Sequence, residues 1–248
     1  MKTGKLSPKA HPNTLKLAKY TAGQPMPYPA RKVYREYKTP DVAKQMFGND
    51  EIGDCTCAGI ANLLILWTVH TSTIVIPTRD EVVSLYSAIT GYDPSDPNTD
   101  QGAAMTDVLA YMQKTGFLGH KILGWAQIDH TDPWHRQLSV DLFGATYVGV
   151  QLPQSAMDQF RAGKSFEVVP DSPVISGHAL IHPGYGALGG DYVTWAKWDQ
   201  KASSAWESAY IDEEYVLITE DWIDQATQRT PGGIDLATLQ ADLKALSI

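Results

Sequence analysis

One segment of the chain, residues 55–67, restricts the fold more than any other. Its apolar residues recur at helical spacing and form one face, which consists of Cys57, Ile60, Leu64 and Trp67. Another side of the same predicted helix carries small or polar residues, namely Cys55, Ala58, Gly59 and Asn62. A helix with two such faces needs close neighbours on both, so we expect it to lie inside the molecule.

Helices are predicted mainly in the first half of the chain and strands in the second. A second helix begins after Thr78, which acidic residues follow, and a third spans residues 105–114. Strands are predicted at residues 140–142, 145–150, 179–181 and 191–195. Residues 208–218 form either a strand or a short helix, and a last helix covers residues 234–246. This order favours an α+β fold with two lobes.

The first 48 residues differ in composition from the rest of the chain. They contain six prolines and are rich in Lys and Arg, although the whole chain has a net charge of −8. Frequent proline interrupts helices and strands, so we predict an extended basic N-terminal arm with one short helix near residues 15–20. We favour an arm that lies as a strap along the body of the protein over an arm that docks onto an acidic partner. The remainder is divided into a helical lobe (49–125), a strand-rich lobe (126–222) and a C-terminal helix and tail (223–248).

Charge and hydropathy argue against several kinds of partner. A net charge of −8 does not suit a nucleic-acid backbone, which requires clustered Lys and Arg. The longest apolar run, residues 60–67, is too short to span a bilayer, and the first residues lack the apolar core of a signal peptide. We therefore predict a soluble chain with no nucleic-acid or membrane partner. Cys55 and Cys57 lie too close in sequence to form a disulfide easily.

Cys55 and His178 are the candidate catalytic pair. Cys55 follows Gly53 and Asp54 at the predicted helix start, where free N–H groups and the helix dipole stabilise a thiolate. His178 lies in a polar turn that enters an apolar strand, and imidazole can take a proton from a thiol near neutral pH. Taken singly, a buried free Cys or a strand-end His is more often structural, so the pairing is a hypothesis.

Other groupings give weaker candidates. Cys55, Cys57, His178 and His182 offer four zinc ligands, but C-x-C is an unusual spacing and a helix points these two thiols about 200° apart. Five tryptophans are candidates to line a cleft, although core packing explains them more simply: Trp125, Trp134, Trp195, Trp198 and Trp206. The acidic residues 93, 96 and 212–214 are interpreted as solvated.

Five segments, taken in order, resemble the papain superfamily of cysteine peptidases. Residues 49–56 are similar to the family's stretch from an oxyanion-hole Gln to the nucleophilic Cys, with Asn49 at the place of the Gln. Residues 100–111 resemble its glycine-rich substrate-binding turn and the helix that follows. The strand before the His loop, the His strand and a glycine-tyrosine-glycine turn are matched by residues 148–150, 177–179 and 184–186. Residues 48–56, 194–195 and 212–215 also look like papain-like proteins encoded by phages and prophages.

The resemblance implies a papain-like fold in which a cleft separates a helical lobe from a barrel-like, strand-rich lobe. It implies hydrolysis of a peptide or isopeptide amide bond in a peptide or protein substrate, with no cofactor and no metal. Cys55 would attack the carbonyl, His178 would shuttle the proton, and Asn49 would hold the oxyanion together with the Cys55 backbone N–H. Substrate contacts are implied for Gly102, Ala103 and Trp195.

The sequence departs from the family at the third catalytic position, where an Asn orients the His. Alignment places Val193, Thr194 or Ala196 there, and of these Thr194 has a hydroxyl that can accept a hydrogen bond from the imidazole. Thr56 also follows the Cys where papain has Trp. These departures leave a second hypothesis, a papain-like structural or binding protein without activity, for example one associated with a virion through its basic arm. The predicted location is accordingly the cytoplasm or a virion.

Overall fold

Helices and one mixed sheet build the fold of this computed structural model, which describes residues 1–21, 32–33, 41–69, 73–220 and 235–246. The helices are α1 (Ala18–Thr21), α2 (Cys55–Thr68), α3 (Arg79–Thr90), α4 (Met105–Lys114), α5 (Pro133–Phe143), α6 (Gln154–Arg161), α7 (Ser204–Tyr210) and α8 (Leu236–Leu246). The strands are β1 (Leu15–Lys16), β2 (Lys32–Val33), β3 (Gly124–Gln127), β4 (Thr146–Pro153), β5 (Val174–Gly186), β6 (Gly189–Thr194), β7 (Lys197–Ser203) and β8 (Ile211–Ile218). None of the described helices is both long and apolar enough to cross a membrane.

The sheet runs in the order β1-β3-β8-β4-β5-β6-β7, and β2 pairs with β5. Neighbours are antiparallel except β1 and β3, which are parallel. Within the described strands the path has two free ends, so the sheet is open and the predicted barrel-like strand region does not close. The α+β class is confirmed. The proposed lobe boundaries stay a prediction.

Helix α2 is buried on both of its faces, as its sequence predicts. Gly59 lies against the sheet so closely that a Cβ there would stand 2.8 Å from Cε2 of Tyr147 on β4. The Tyr147 hydroxyl also donates a hydrogen bond of 2.8 Å to the carbonyl oxygen of Thr56. The small-residue face therefore lets α2 approach the strands β4 and β5, and the latter carries His178.

Three of the predicted helices begin close to where the sequence places them. Thr78 caps α3 in a capping box with Glu81, as its position before the acidic residues predicts. Helix α4 has the predicted bounds, and α8 begins two residues after the predicted start of the last helix, at Leu236. Residues 208–218 contain both alternatives, because α7 ends at Tyr210 and β8 follows it directly.

One element prediction is wrong, and another is shifted by a few residues. Residues 140–142 belong to α5, not to a strand, because Asp132 caps that helix and Pro133 stands in its first turn. A Val-Asp-Leu triplet fits the period of a strand as well as that of a helix, so the pattern alone misleads. The short helix near residues 15–20 is displaced, since residues 15 and 16 form β1 and α1 begins at Ala18.

Two of the three acidic residues of β8 are buried and Asp212 is half-buried, which corrects their interpretation as solvated. Strand β8 lies between β3 and β4 in the sheet, and Glu213 and Glu214 have exposures of 1% and 0%. Arg136 on α5 donates to Glu214 at 2.8 Å and to Glu207 at 3.0 Å. Burial of a charged side chain requires such a partner. The prediction of a solvated face was wrong because the cation comes from an element that is distant in sequence. Asp93 and Asp96 are exposed, as predicted.

Candidate active site

One pocket brings together the side chains that the sequence singles out. Its walls include Asn49, Cys55, His178, Thr194 and Trp195. Cys55 is the first residue of α2, and His178 lies on β5, against which the helix packs. The small face of α2 predicted from the sequence contributes the floor, with Ala58, Gly59 and Asn62.

The imidazole of His178 is held by Thr194. Nε2 of His178 lies 2.8 Å from Oγ1 of Thr194, while Nδ1 has no hydrogen-bond partner among the described residues. When Nε2–H donates to the hydroxyl, Nδ1 is left as the free base of the ring. Of the three aligned alternatives for an orienting residue, the structure thus brings Thr194 into contact with the ring.

Trp195 covers the same imidazole. Its ring stacks on His178 at a centroid distance of 4.1 Å and an interplanar angle of 16°. Trp195 and Ala196 have φ of 43° and 63° and form the two-residue turn between β6 and β7, where Thr194 pairs with Lys197. Such left-handed turns match the twist of paired strands but are costly for a bulky residue. The turn presents the indole to the pocket, whereas Trp125 and Trp206 are fully buried in the core.

Burial keeps the candidate pair uncharged in this state. It raises the pKa of Cys55 to about 12, although the backbone N–H groups of Ala179, Gly4 and Lys5 oppose the shift. It also lowers the pKa of His178 to about 3. At neutral pH the side chains are therefore a thiol and a neutral imidazole. The expected stabilisation of a thiolate by the helix N-terminus is outweighed by loss of solvent.

The chain's own residues 2–6, here called the cleft segment, lie against Cys55 and Trp195 of the pocket. The carbonyl oxygen of Gly4 accepts from the N–H of Ala103 at 2.9 Å, and the N–H of Leu6 donates back to Ala103 at 3.0 Å. On the other side, the N–H of Lys5 donates to the carbonyl oxygen of Gly177 at 3.2 Å. An extended segment is therefore held as a strand between two walls, and its amides reach the Cys55 thiol.

Three further contacts fit the cleft segment to the site. Nε1 of Trp195 donates to the carbonyl oxygen of Lys2 at 3.0 Å. A Cβ on Gly4 would stand 1.9 Å from the carbonyl oxygen of Gly53, so only glycine allows this approach. Gly102, with φ of 75°, meets the same residue from the opposite wall, where a Cβ would stand 2.0 Å from the Gly4 oxygen. Gly102 and Ala103 thus line the groove that the cleft segment occupies.

The turn before α2 contains a buried acid, Asp54, for which the sequence predicted no role. Burial raises the pKa of Asp54 to about 8, and the side-chain amide of Asn49 opposes part of that shift. Nδ2 of Asn49 also donates to the carbonyl oxygen of Ile52 at 3.2 Å. Asn49 therefore reaches the pocket and also braces the turn that leads to Cys55. Gln45 provides a second amide on the pocket wall. The sequence did not predict this, because Gln45 is not adjacent to Cys55 in the chain.

The four zinc-ligand candidates do not come together. Cys57 is buried in the main core, and Nδ1 of His182 lies 3.3 Å from Oε1 of Glu214. Over the described ranges, no three His, Cys, Asp or Glu side chains are grouped so that they could hold a metal ion.

Several solved structures of similar fold are cysteine proteases. Xylellain, a cysteine protease from Xylella fastidiosa, superposes with a TM-score of 0.66 at 15% identity, covering 88% of this chain and 96% of that one. The fold is that of papain-like cysteine proteases. The Carica candamarcensis cysteine protease CMS1MS2, solved with E-64, matches with a TM-score of 0.54 at 10% identity over 77% of this chain and 99% of that one.

The ragweed pollen cysteine protease Amb a 11, solved in its proform, matches this papain-like fold with a TM-score of 0.57 at 15% identity. That match covers 86% of this chain and 66% of the ragweed protein. No protein-family model and no curated protein matches the chain. The papain-like fold is therefore shown by structure alone, and the roles of the pocket residues rest on their geometry.

Proposed function

We propose that this chain is a papain-like thiol hydrolase that cleaves a peptide or isopeptide amide bond with Cys55 as nucleophile and His178 as base. The observation that carries the proposal is the pocket that both residues share, in which Thr194 binds Nε2 of the imidazole and Nδ1 remains unpaired. A nucleophile, a base and a group that orients the base are the three parts that such chemistry requires.

The proposed reaction begins with transfer of the Cys55 proton to Nδ1 of His178. The thiolate attacks the substrate carbonyl carbon, and the oxyanion receives hydrogen bonds from the Cys55 N–H and the Asn49 amide. The imidazolium, held by Thr194, then gives its proton to the leaving amine as the C–N bond breaks. Water attacks the resulting thioester with His178 as base, which releases the acid and restores the thiol.

A peptide substrate is supported by the way the groove holds the cleft segment. Ala103 and Gly177 bind it through main-chain hydrogen bonds, which any extended peptide can make. Such a substrate can enter only when the cleft segment leaves. Its departure would expose Cys55 and His178 to solvent and reverse the effects of burial on both pKa values.

The second candidate is a papain-like structural or binding protein. The occupied groove and the neutral, buried thiol favour it, because the described state cannot bind a substrate at Cys55. A phage setting, a virion-associated location and a protein partner for the basic arm stay predictions from the sequence.

Hydrolysis of a fluorogenic peptide mixture separates the two candidates. We expect turnover from a full-chain Gly4→Val variant, in which the added side chain cannot fit against Gly53, and none when Cys55→Ala is added. Cys57→Ala is the matched control, because it removes the neighbouring thiol, which faces the core, and should retain turnover. Absence of turnover in the Gly4→Val protein, with its fold intact by circular dichroism, would favour the binding protein.

A further inference from the structure

The side chain of Lys5, whose backbone N–H is near the Cys55 thiol, is itself fully buried. Its Nζ lies 3.0 Å from Oδ2 of Asp212 and 3.0 Å from Oε1 of Glu213, and the side chain has 0% exposure. It also donates to the carbonyl oxygen of Leu6 at 3.1 Å. The Lys5 side chain thus occupies a closed pocket that ends in two carboxylates, and its ammonium group pairs with both.

The pocket is built around this side chain. A Cβ on Gly149 would stand 2.1 Å from Cε of Lys5 and 2.8 Å from Sδ of Met105, so glycine at this point of β4 leaves the space that the lysine fills. Nε2 of Gln151 donates to Oδ2 of Asp212 at 2.6 Å.

The second carboxylate is held in the same manner, because the Tyr215 hydroxyl donates to Oε2 of Glu213 at 2.7 Å. Both acids are thus positioned by neighbours that do not belong to the cleft segment. They retain these neighbours when the segment departs.

We infer that this pocket is a subsite that selects a Lys or Arg side chain of the substrate, with Asp212 and Glu213 as the residues that determine specificity. The inference rests on the proposed function, since it assumes that a substrate peptide replaces the cleft segment. The backbone of Lys5 bonds to Gly177, and its amide contributes to the environment of the Cys55 thiol. A residue bound here therefore lies next to the bond that Cys55 would attack.

A cationic preference follows from the cost of leaving the acids unpaired. Glu213 has 1% side-chain exposure and Asp212 has 17%, so water compensates poorly for a missing cation. An apolar residue of similar length would fill the pocket but leave the two carboxylates without a cation. Removing one member of a buried, hydrogen-bonded charge pair commonly weakens binding by tenfold or more.

Hydrogen exchange in the full chain tests the pocket without using activity. By NMR, we expect Lys5→Met to lower the protection of the amides at positions 5 and 6 at least about tenfold, whereas Lys5→Arg stays within about threefold of wild type. Lys9→Met is the matched control, because this substitution removes the same charge from the same arm. Lys9 differs from Lys5 in that it forms an exposed pair with Asp107. Equal protection in wild type and Lys5→Met would overturn the inference.

Substrate preference is tested with the full-chain Gly4→Val protein. Among peptides varied at each position near the cleaved bond, one position should favour Lys and Arg over norleucine by at least about tenfold in kcat/KM. Asp212→Asn, which changes the more exposed of the two acids, should reduce that preference, measured as the ratio of kcat/KM for the lysine and norleucine peptides. Asp199→Asn, an exposed acid on β7, is the charge-matched control.

The outcomes distinguish this inference from the proposed function. Turnover with no preference for a cation at any position overturns the inference and leaves the hydrolase intact. No turnover of any peptide overturns the hydrolase, and with it the substrate preference, while the exchange measurement still decides whether the pocket selects a cation.

Discussion

The hydroxyl of Thr194 lies 2.8 Å from Nε2 of His178, a contact that in the proposed hydrolase leaves Nδ1 as the base. A Thr194→Val variant keeps the shape of the side chain but loses the 2.8 Å hydrogen bond to Nε2. We expect kcat for peptide hydrolysis to fall at least about tenfold with little change in KM, because the ring is no longer held in one tautomer and orientation. Thr194→Ser restores the hydroxyl and should recover most of the loss. Equal kcat for the Val and Ser variants would contradict this role.

Asp54 should make stability depend on pH. Burial raises its pKa from the ordinary value of 3.8 to about 8 in the folded chain. A raised carboxyl pKa means that the folded state holds the proton more tightly. The stabilisation is therefore present at low pH and is lost as the pH rises towards 8.

We expect the free energy of unfolding of wild type to fall relative to Asp54→Asn by up to about 1.4 kcal/mol per pH unit between roughly pH 4 and 8. Asparagine resembles the protonated acid and does not titrate. Urea unfolding of both proteins at pH 5, 6, 7 and 8 measures this difference. Parallel stability curves would show that Asp54 is ionised in the folded chain throughout.

At the scale of elements, the approach of α2 to the sheet depends on Gly59. A Gly59→Val side chain would collide with the Tyr147 ring, which a Cβ alone would meet at 2.8 Å. We expect a loss of about 2 kcal/mol in the free energy of unfolding, because overpacking forces the helix or the ring to move. Ala88→Val, at an exposed position of α3, measures the intrinsic cost of valine in a helix and should lose less than about 1 kcal/mol. Equal losses in urea unfolding would contradict the close approach.

The elements that were predicted correctly are those for which several local sequence signals agree. Helix α3 has a cap, an acidic first turn and a Gly at its end, and each can be read without knowing the fold. Cys55 and His178 line one pocket, and the resemblance indicated that they would lie together, which spacing alone does not. The strand predicted at residues 140–142 failed because a three-residue pattern carries no period.

What the sequence could not provide depends on contacts between distant residues. The basic arm was predicted to be a strap, but nothing local indicates that Gly4 meets Gly53 and Gly102 across the groove. The acids of β8 read as a solvated run because their partners, Lys5 and Arg136, come from other parts of the chain. Burial of Cys55 by the cleft segment likewise reverses the pKa shift expected at a helix start.

At the scale of the whole molecule, a buried ion network joins α5 and α7 to the central strands. Burial by itself would raise the pKa of Glu214, but Arg136, His182 and Thr146 hold it at about 2. The lowered pKa means that this stabilisation is present above about pH 4.5 and is lost as the pH falls towards 2.

Glu214→Gln should therefore cost about 3 kcal/mol in the free energy of unfolding at pH 7, because it leaves Arg136 with one carboxylate fewer. The difference from wild type should shrink as the pH falls from about 4.5 towards 2. The exposed Glu167→Gln is the control and should stay within about 0.5 kcal/mol of wild type at pH 7. A loss for Glu214→Gln that is no larger than for this control would show that the network adds nothing to stability.

The central claim is that Cys55 becomes a nucleophile activated by His178 once the cleft segment leaves. The rate of Cys55 alkylation by iodoacetamide at pH 6 tests it most directly, in a Cys57→Ala background so that one thiol is followed. A free thiol is only about 0.3% ionised at that pH. We predict slow labelling in the closed chain, labelling at least about tenfold faster than free cysteine in Gly4→Val, and loss of that excess when His178→Ala is added. A thiol that reacts in the Gly4→Val protein no faster than free cysteine, or equally fast without His178, would contradict the claim.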